Sequence, residues 1–141
     1  MVGVLAIVVI LPVVEEILFR LILVWWLMTL TFHWPAPKTV LYSAVIFTIC
    51  HLPVVIRTLD PLRFLDALII GVFNGIACVV YLRLWGLGRS QEGVLVAYLC
   101  LVVIHAAYNL ATLIPGLRGL ARIAGAVLAL GAWIAYMPSL G

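Results

Sequence analysis

Apolar positions occupy this chain in long uninterrupted stretches, and the polar residues, prolines and glycines collect between them. A helix that crosses a bilayer needs about 20 apolar residues, with about 17 to 25 tolerated. Five stretches meet that length, at residues 13–30, 39–56, 64–82, 93–113 and 120–137. None alternates apolar and polar residues as a strand of a membrane barrel does over about ten positions. The pattern predicts an all-α, polytopic transmembrane bundle of about five spanning helices. Residues 2–11 form a further apolar stub, too short to span alone. It is either a half-helix leading into Pro12 or part of one longer tilted segment.

The connections, 31–38, 57–63, 83–92 and 114–119, are short. With no repeat and no linker, residues 1–141 are expected to form one integral membrane domain. A cleaved signal peptide is not expected, because the first basic residue is Arg20 and no small-residue cleavage site precedes it.

Composition strengthens this picture. Of the 141 residues 67% are apolar and 9% charged, against about a quarter charged in ordinary soluble domains. Mean hydropathy is +1.34. The eight basic residues are scattered without a stripe, so nucleic acid is excluded as a partner and membrane lipid is the expected surroundings. Alternating loops place Lys38, Arg83 and Arg89 on one side and Arg57, Arg63, Arg118 and Arg122 on the other, a balance that gives no orientation. Cys50, Cys78 and Cys100 are odd in number and sit in apolar runs, which reads as small buried hydrophobes.

The informative residues are those a membrane excludes. A charged side chain at mid-bilayer costs at least about 2.5–3.5 kcal/mol on insertion scales, so such groups face a cavity or one another. Here they are Glu15, Glu16, Arg20, His51, His105 and Asn109. Residues four apart share a helix face, which pairs Glu16 with Arg20, Phe47 with His51, and His105 with Asn109. Glu15 points about 100° away from Glu16 and is left without a partner on its own helix.

Counting rise along each span puts Glu15, His51, His105 and Asn109 within about 15 Å of the same membrane side. A carboxylate beside an imidazole can activate water against a carbonyl, and a second imidazole with a carboxamide can donate to the oxyanion. These parts suffice for peptide hydrolysis without a covalent intermediate, although a proton-linked transporter needs much the same residues.

Glu15-Glu16-Ile17-Leu18-Phe19-Arg20 matches EExxxR, Phe47 to His51 matches FxxxH, and His105 to Asn109 matches HxxxN, in that order. The chain thereby resembles the CPBP (Abi-type) intramembrane peptidases, similar to the CAAX prenyl endopeptidases and to bacterial members that process bacteriocins. The resemblance covers roughly residues 12–113 and implies a multi-pass protein of a prokaryotic plasma membrane. It also implies that Glu15 and His51 activate water, that His105 and Asn109 stabilise the oxyanion, and that Glu16, Arg20 and Phe47 support the site. The implied substrate is a lipidated or single-span membrane protein or peptide.

No cofactor is expected; the alternative is zinc on Glu15, His51 and His105, which lie on three helices and not in a close HExxH motif. Most members carry spans before the first motif, so the wall those spans build is missing here, or supplied by another copy or by a partner subunit. A non-catalytic immunity or assembly module of the same fold is the rival functional class. His33 and the tryptophans, Trp25, Trp26, Trp34, Trp85 and Trp133, read as interfacial anchors. Asp66 reads as interfacial too, and Asn74, beside Gly71 and Gly75, as a helix-to-helix hydrogen-bonding residue.

Overall fold

The computed structural model describes residues 3, 6–24, 26–27 and 34–139. His33 and Trp25 lie outside the described residues, as does the end of the expected first span. Among the described residues every regular element is helical. Four helical spans, Ala36–Thr58, Leu62–Arg83, Gln91–Leu113 and Pro115–Ser139, are long and apolar enough to cross a membrane.

The stub is no separate element. Residues 6–24 run on as one helical segment: a π-helical turn Ala6–Ile10, helix α1 (Leu11–Glu16) with Pro12 in its first turn, and a second π-helical stretch Ile17–Val24. Helix α2 (Ala36–Cys50) and the short α3 (Leu52–Thr58) make the next span, broken at His51. The break follows from Pro53, which has no N–H to continue the ladder and whose ring crowds the preceding turn. Helix α4 (Leu62–Val79) continues through a π-helical turn, Val80–Leu84, and α5 (Gln91–Leu113) begins on Ser90, whose hydroxyl accepts from the Gly93 N–H.

Helix α6 (Pro115–Tyr136) corrects an expectation. Residues 114–119 look like a loop because they hold a proline and two glycines, yet the helix starts at Pro115. Proline suits the first helical position, where its fixed φ is already helical and its missing N–H is not needed. Arg118 is therefore a helical residue, and its Nε donates to the Thr112 carbonyl at the end of α5 at 2.8 Å.

Helices α2 and α4 pack most extensively. Their closeness depends on Gly71 and Gly75. A Cβ on Gly71 would lie 3.3 Å from both Ala44 Cα and Phe47 Cδ1, and one on Gly75 would lie 3.1 Å from Val40 Cγ1. The largest buried apolar cluster, including Val24, Val40, Ile76, Val79 and Leu101, joins the first segment to α2, α4 and α5.

Outward faces are apolar, as lipid contact requires: Ile123, Val127, Leu130 and Ile134 of α6 are each more than 60% exposed. Cys50 and Cys100 also lie on exposed faces, so only Cys78 is the buried hydrophobe expected; all three are free. Trp85, just beyond its span, is 62% exposed, and Lys38 Nζ stands 4.1 Å over the Trp34 ring.

Candidate active site

The site forms where α1 meets the break after α2 and the middle of α5. Adjacent residues on α1 divide between two environments. Glu16 is fully buried and Glu15 is partly open.

Glu15 uses both carboxylate oxygens. Its Oε1 is 3.4 Å from His51 Nε2, and its Oε2 is 3.4 Å from His105 Nε2. Both distances exceed a direct hydrogen bond of about 2.7–3.2 Å. The side chains of Glu15 and His51 are 18% and 24% exposed, whereas that of His105 is 2% exposed.

The break at His51 does more than end α2. The His51 backbone N–H bonds the Thr48 carbonyl at 3.1 Å, and the imidazole Nδ1 instead takes the Phe47 carbonyl at 2.8 Å. A carbonyl only accepts, so Nδ1 carries hydrogen and the Nε2 of neutral His51 presents its lone pair toward Glu15. The Phe47 ring, fully buried, packs 4.5 Å from the His51 ring and 5.8 Å from that of His105. It also meets Phe19 edge to face, and the Arg20 guanidinium stands 5.2 Å above it.

Glu16 holds the buried side of the site together. Its Oε1 accepts from His105 Nδ1 at 2.8 Å and from Asn74 Nδ2 at 2.9 Å, while its Oε2 pairs with Arg20 Nε at 3.5 Å. That last contact is ionic and too long for a hydrogen bond. Arg20 Nη2 donates to the Gly71 carbonyl at 3.1 Å, which ties the first segment to α4 at one of the two glycines packed against α2.

The expected Glu16–Arg20 pair is present, and its acid also fixes the tautomer-setting nitrogen of His105. Asn74 hydrogen-bonds between helices as expected, to Glu16 and to the Leu101 carbonyl at 3.2 Å, so it also holds a carboxylate of the site. Only its position between Gly71 and Gly75 hinted at such a place. Tyr98, unremarked in the sequence, donates its hydroxyl to the Val13 carbonyl at 2.9 Å and seats α1 on α5.

Asn109 lies one turn beyond His105 on α5. Its Nδ2 donates to the Ile7 carbonyl at 3.2 Å, and it makes no hydrogen bond to Glu15, His51 or His105. Asp66, in the first turns of its span, faces its neighbouring helices. It is 7% exposed and takes Arg122 of α6 in two bonds, at 2.7 and 2.9 Å, and Tyr108 Oη of α5 at 3.2 Å.

Zinc would need Glu15, His51 and His105 to gather around one point. Among the described residues no group of three His, Cys, Asp or Glu side chains is arranged to hold a metal ion.

A family model described as type II CAAX prenyl endopeptidase Rce1-like matches residues 1–111. The chain belongs to that family. The Rce1-like match covers all three motifs and reaches back through the N-terminal stub, beyond the stretch that the motifs delimit. Membership and the four apolar spans make this an integral membrane protein and support peptidase chemistry. No curated protein and no solved structure matches the chain.

Proposed function

We propose that this Rce1-like chain is an intramembrane endopeptidase that cuts a membrane-associated protein or peptide with a water activated by Glu15 and His51. The observation that carries the reading is that each oxygen of the Glu15 carboxylate faces the Nε2 of a different histidine, at 3.4 Å. Water beside Glu15 and His51 gives its proton to that pair as its oxygen adds to the scissile carbonyl carbon. The oxyanion that forms accepts from the Asn109 amide and from the Nε2–H of His105 in its imidazolium form, whose Nδ1–H is held by Glu16. Collapse breaks the C–N bond, and the proton held by the pair passes to the leaving amine.

Asn109 already binds a peptide carbonyl, that of Ile7. A substrate carbonyl takes over this donor when the Ala6–Ile10 turn releases it. The family description indicates a prenylated substrate, so the first to test is a peptide with a prenylated cysteine followed by three residues. The reading includes no metal.

The test uses the full chain in proteoliposomes and follows release of the C-terminal tripeptide by mass spectrometry. Glu15→Gln keeps the shape and removes the base, and turnover is expected to fall at least about a hundredfold with membrane insertion unchanged. Parental cleavage by Glu15→Gln overturns the assignment of the base. About one zinc per chain, lost and regained together with activity, overturns the metal-free mechanism.

A further inference from the structure

A cavity of about 980 Å³ lies between the first helical segment, α4 and α5, apart from the histidines of the site. Its walls are apolar, from residues that include Val79, Leu82, Val94, Ala97 and Leu101. At one end stand Arg83, where the α4 span stops, and Arg89, just before α5 begins. Both are exposed, and neither guanidinium is paired with a carboxylate among the described residues. Glu92, on the first turn of α5, is not part of the lining. The other end is closed by Leu101 and by Arg20, whose charge Glu16 already balances.

The dimensions match one lipid leaflet. From Gln91 to Leu101 along α5 is about 15 Å at 1.5 Å per residue, half of a hydrocarbon core about 30 Å thick. The two arginines therefore stand at headgroup level and the apolar walls at acyl-chain depth. His105 is a further turn down α5, about 21 Å from Gln91, so the catalytic groups belong to the other half of the membrane.

We infer that this cavity is a binding site for one anionic glycerophospholipid, with its phosphate on Arg83 and Arg89 and an acyl chain along α5. Guanidinium groups suit phosphate oxygens, and two unpaired cations at one mouth favour a headgroup of net negative charge over a zwitterionic one. The inference is independent of the peptidase reading, because none of Glu15, His51, His105 or Asn109 lines the cavity.

Native mass spectrometry of the full chain in mild detergent tests it, with phosphatidylglycerol or phosphatidylcholine of the same acyl chains added. Each basic side chain near a membrane surface is worth about fivefold. One phosphatidylglycerol per chain is therefore expected to be retained about twenty-five-fold better than phosphatidylcholine. Arg83→Gln with Arg89→Gln is expected to abolish that preference, whereas Lys38→Gln with Arg57→Gln, which removes equal charge elsewhere, is expected to keep it. Val94→Trp, which narrows the cavity, is expected to reduce retention of the phosphatidylglycerol. Equal retention of the two lipids by the parent chain overturns the inference, as does undiminished selectivity in the arginine variant. So does a lipid-free dimer, which would mean that a second copy fills the cavity.

Discussion

Glu16→Gln is the sharpest probe of how the site is held. The substitution preserves shape and leaves an amide oxygen to accept from His105 Nδ1 and Asn74 Nδ2, so the two short bonds at 2.8 and 2.9 Å need not be lost. What disappears is the negative charge facing Arg20, which is 1% exposed and has two guanidinium nitrogens, Nε and Nη1, without a hydrogen bond. Removing one partner of a buried ion pair costs about 3–5 kcal/mol, because the other charge is stranded. In Glu16→Gln with Arg20→Gln no charge is stranded. The principal remaining loss is the bond from Arg20 to the Gly71 carbonyl, worth about 1 kcal/mol. The double variant is therefore expected to recover about 2–4 kcal/mol relative to Glu16→Gln. Denaturant unfolding in detergent measures this, with cleavage followed on the folded fraction. A loss below about 1 kcal/mol in Glu16→Gln, or a double variant no more stable than the single, refutes the reasoning. Well-folded Glu16→Gln without activity, beside active Glu15→Gln, would exchange the roles of the two acids.

Asn74→Ala removes donors to Glu16 and to the Leu101 carbonyl; it is expected to cost about 1–3 kcal/mol and to lower turnover more than substrate affinity, by steady-state kinetics. Asp66→Asn loosens the two-bond contact with Arg122 and is expected to make α6 the first element cut in limited proteolysis, with an unchanged cut pattern counting against the clamp. Gly71→Ala places a methyl 3.3 Å from the Phe47 ring. It is expected to cost about 1–3 kcal/mol by overpacking and to slow cleavage, whereas parental stability would show that α2 and α4 can part freely.

Much of the site was legible because helical spacing and depth are properties of single helices. Four-residue spacing identified Glu16 with Arg20 and His51 with Phe47, and counting rise from the span ends put Glu15, His51, His105 and Asn109 within about 15 Å of the same membrane side. The contact of His105 with Glu16 was not legible. It depends on the rotation of α5 about its own axis, which is set by tertiary bonds such as Tyr98 to Val13 and Asn74 to Leu101. The same limit hid the hold of Asn109 on Ile7, because the stub alone does not disclose that it continues into α1 and lies against α5. The Asp66–Arg122 pair joins residues 56 apart in sequence, and nothing in the expected span 120–137 pointed Arg122 toward a partner on α4.

That pair links α6 to the chemistry. The family match ends at residue 111, so α6 lies beyond it, yet Arg122 reaches back to Asp66 on α4, and Asp66 also accepts from Tyr108 on α5. Tyr108 is three residues after His105, on the adjoining turn and near the same face. Gly125 supports the contact from α6, where a Cβ would lie 2.9 Å from Tyr108 Cε2 and 2.8 Å from Ile69 Cγ2, so only glycine lets α6 come this close. The clamp therefore fixes the rotation of α5 from below while Asn74 and Tyr98 fix it from above. His105 lies between these restraints, with Nδ1 on Glu16 and Nε2 toward Glu15. A rotation of α5 by one residue step, about 100°, would take the imidazole away from both acids, which is why an ion pair outside the three motifs bears on the geometry inside them.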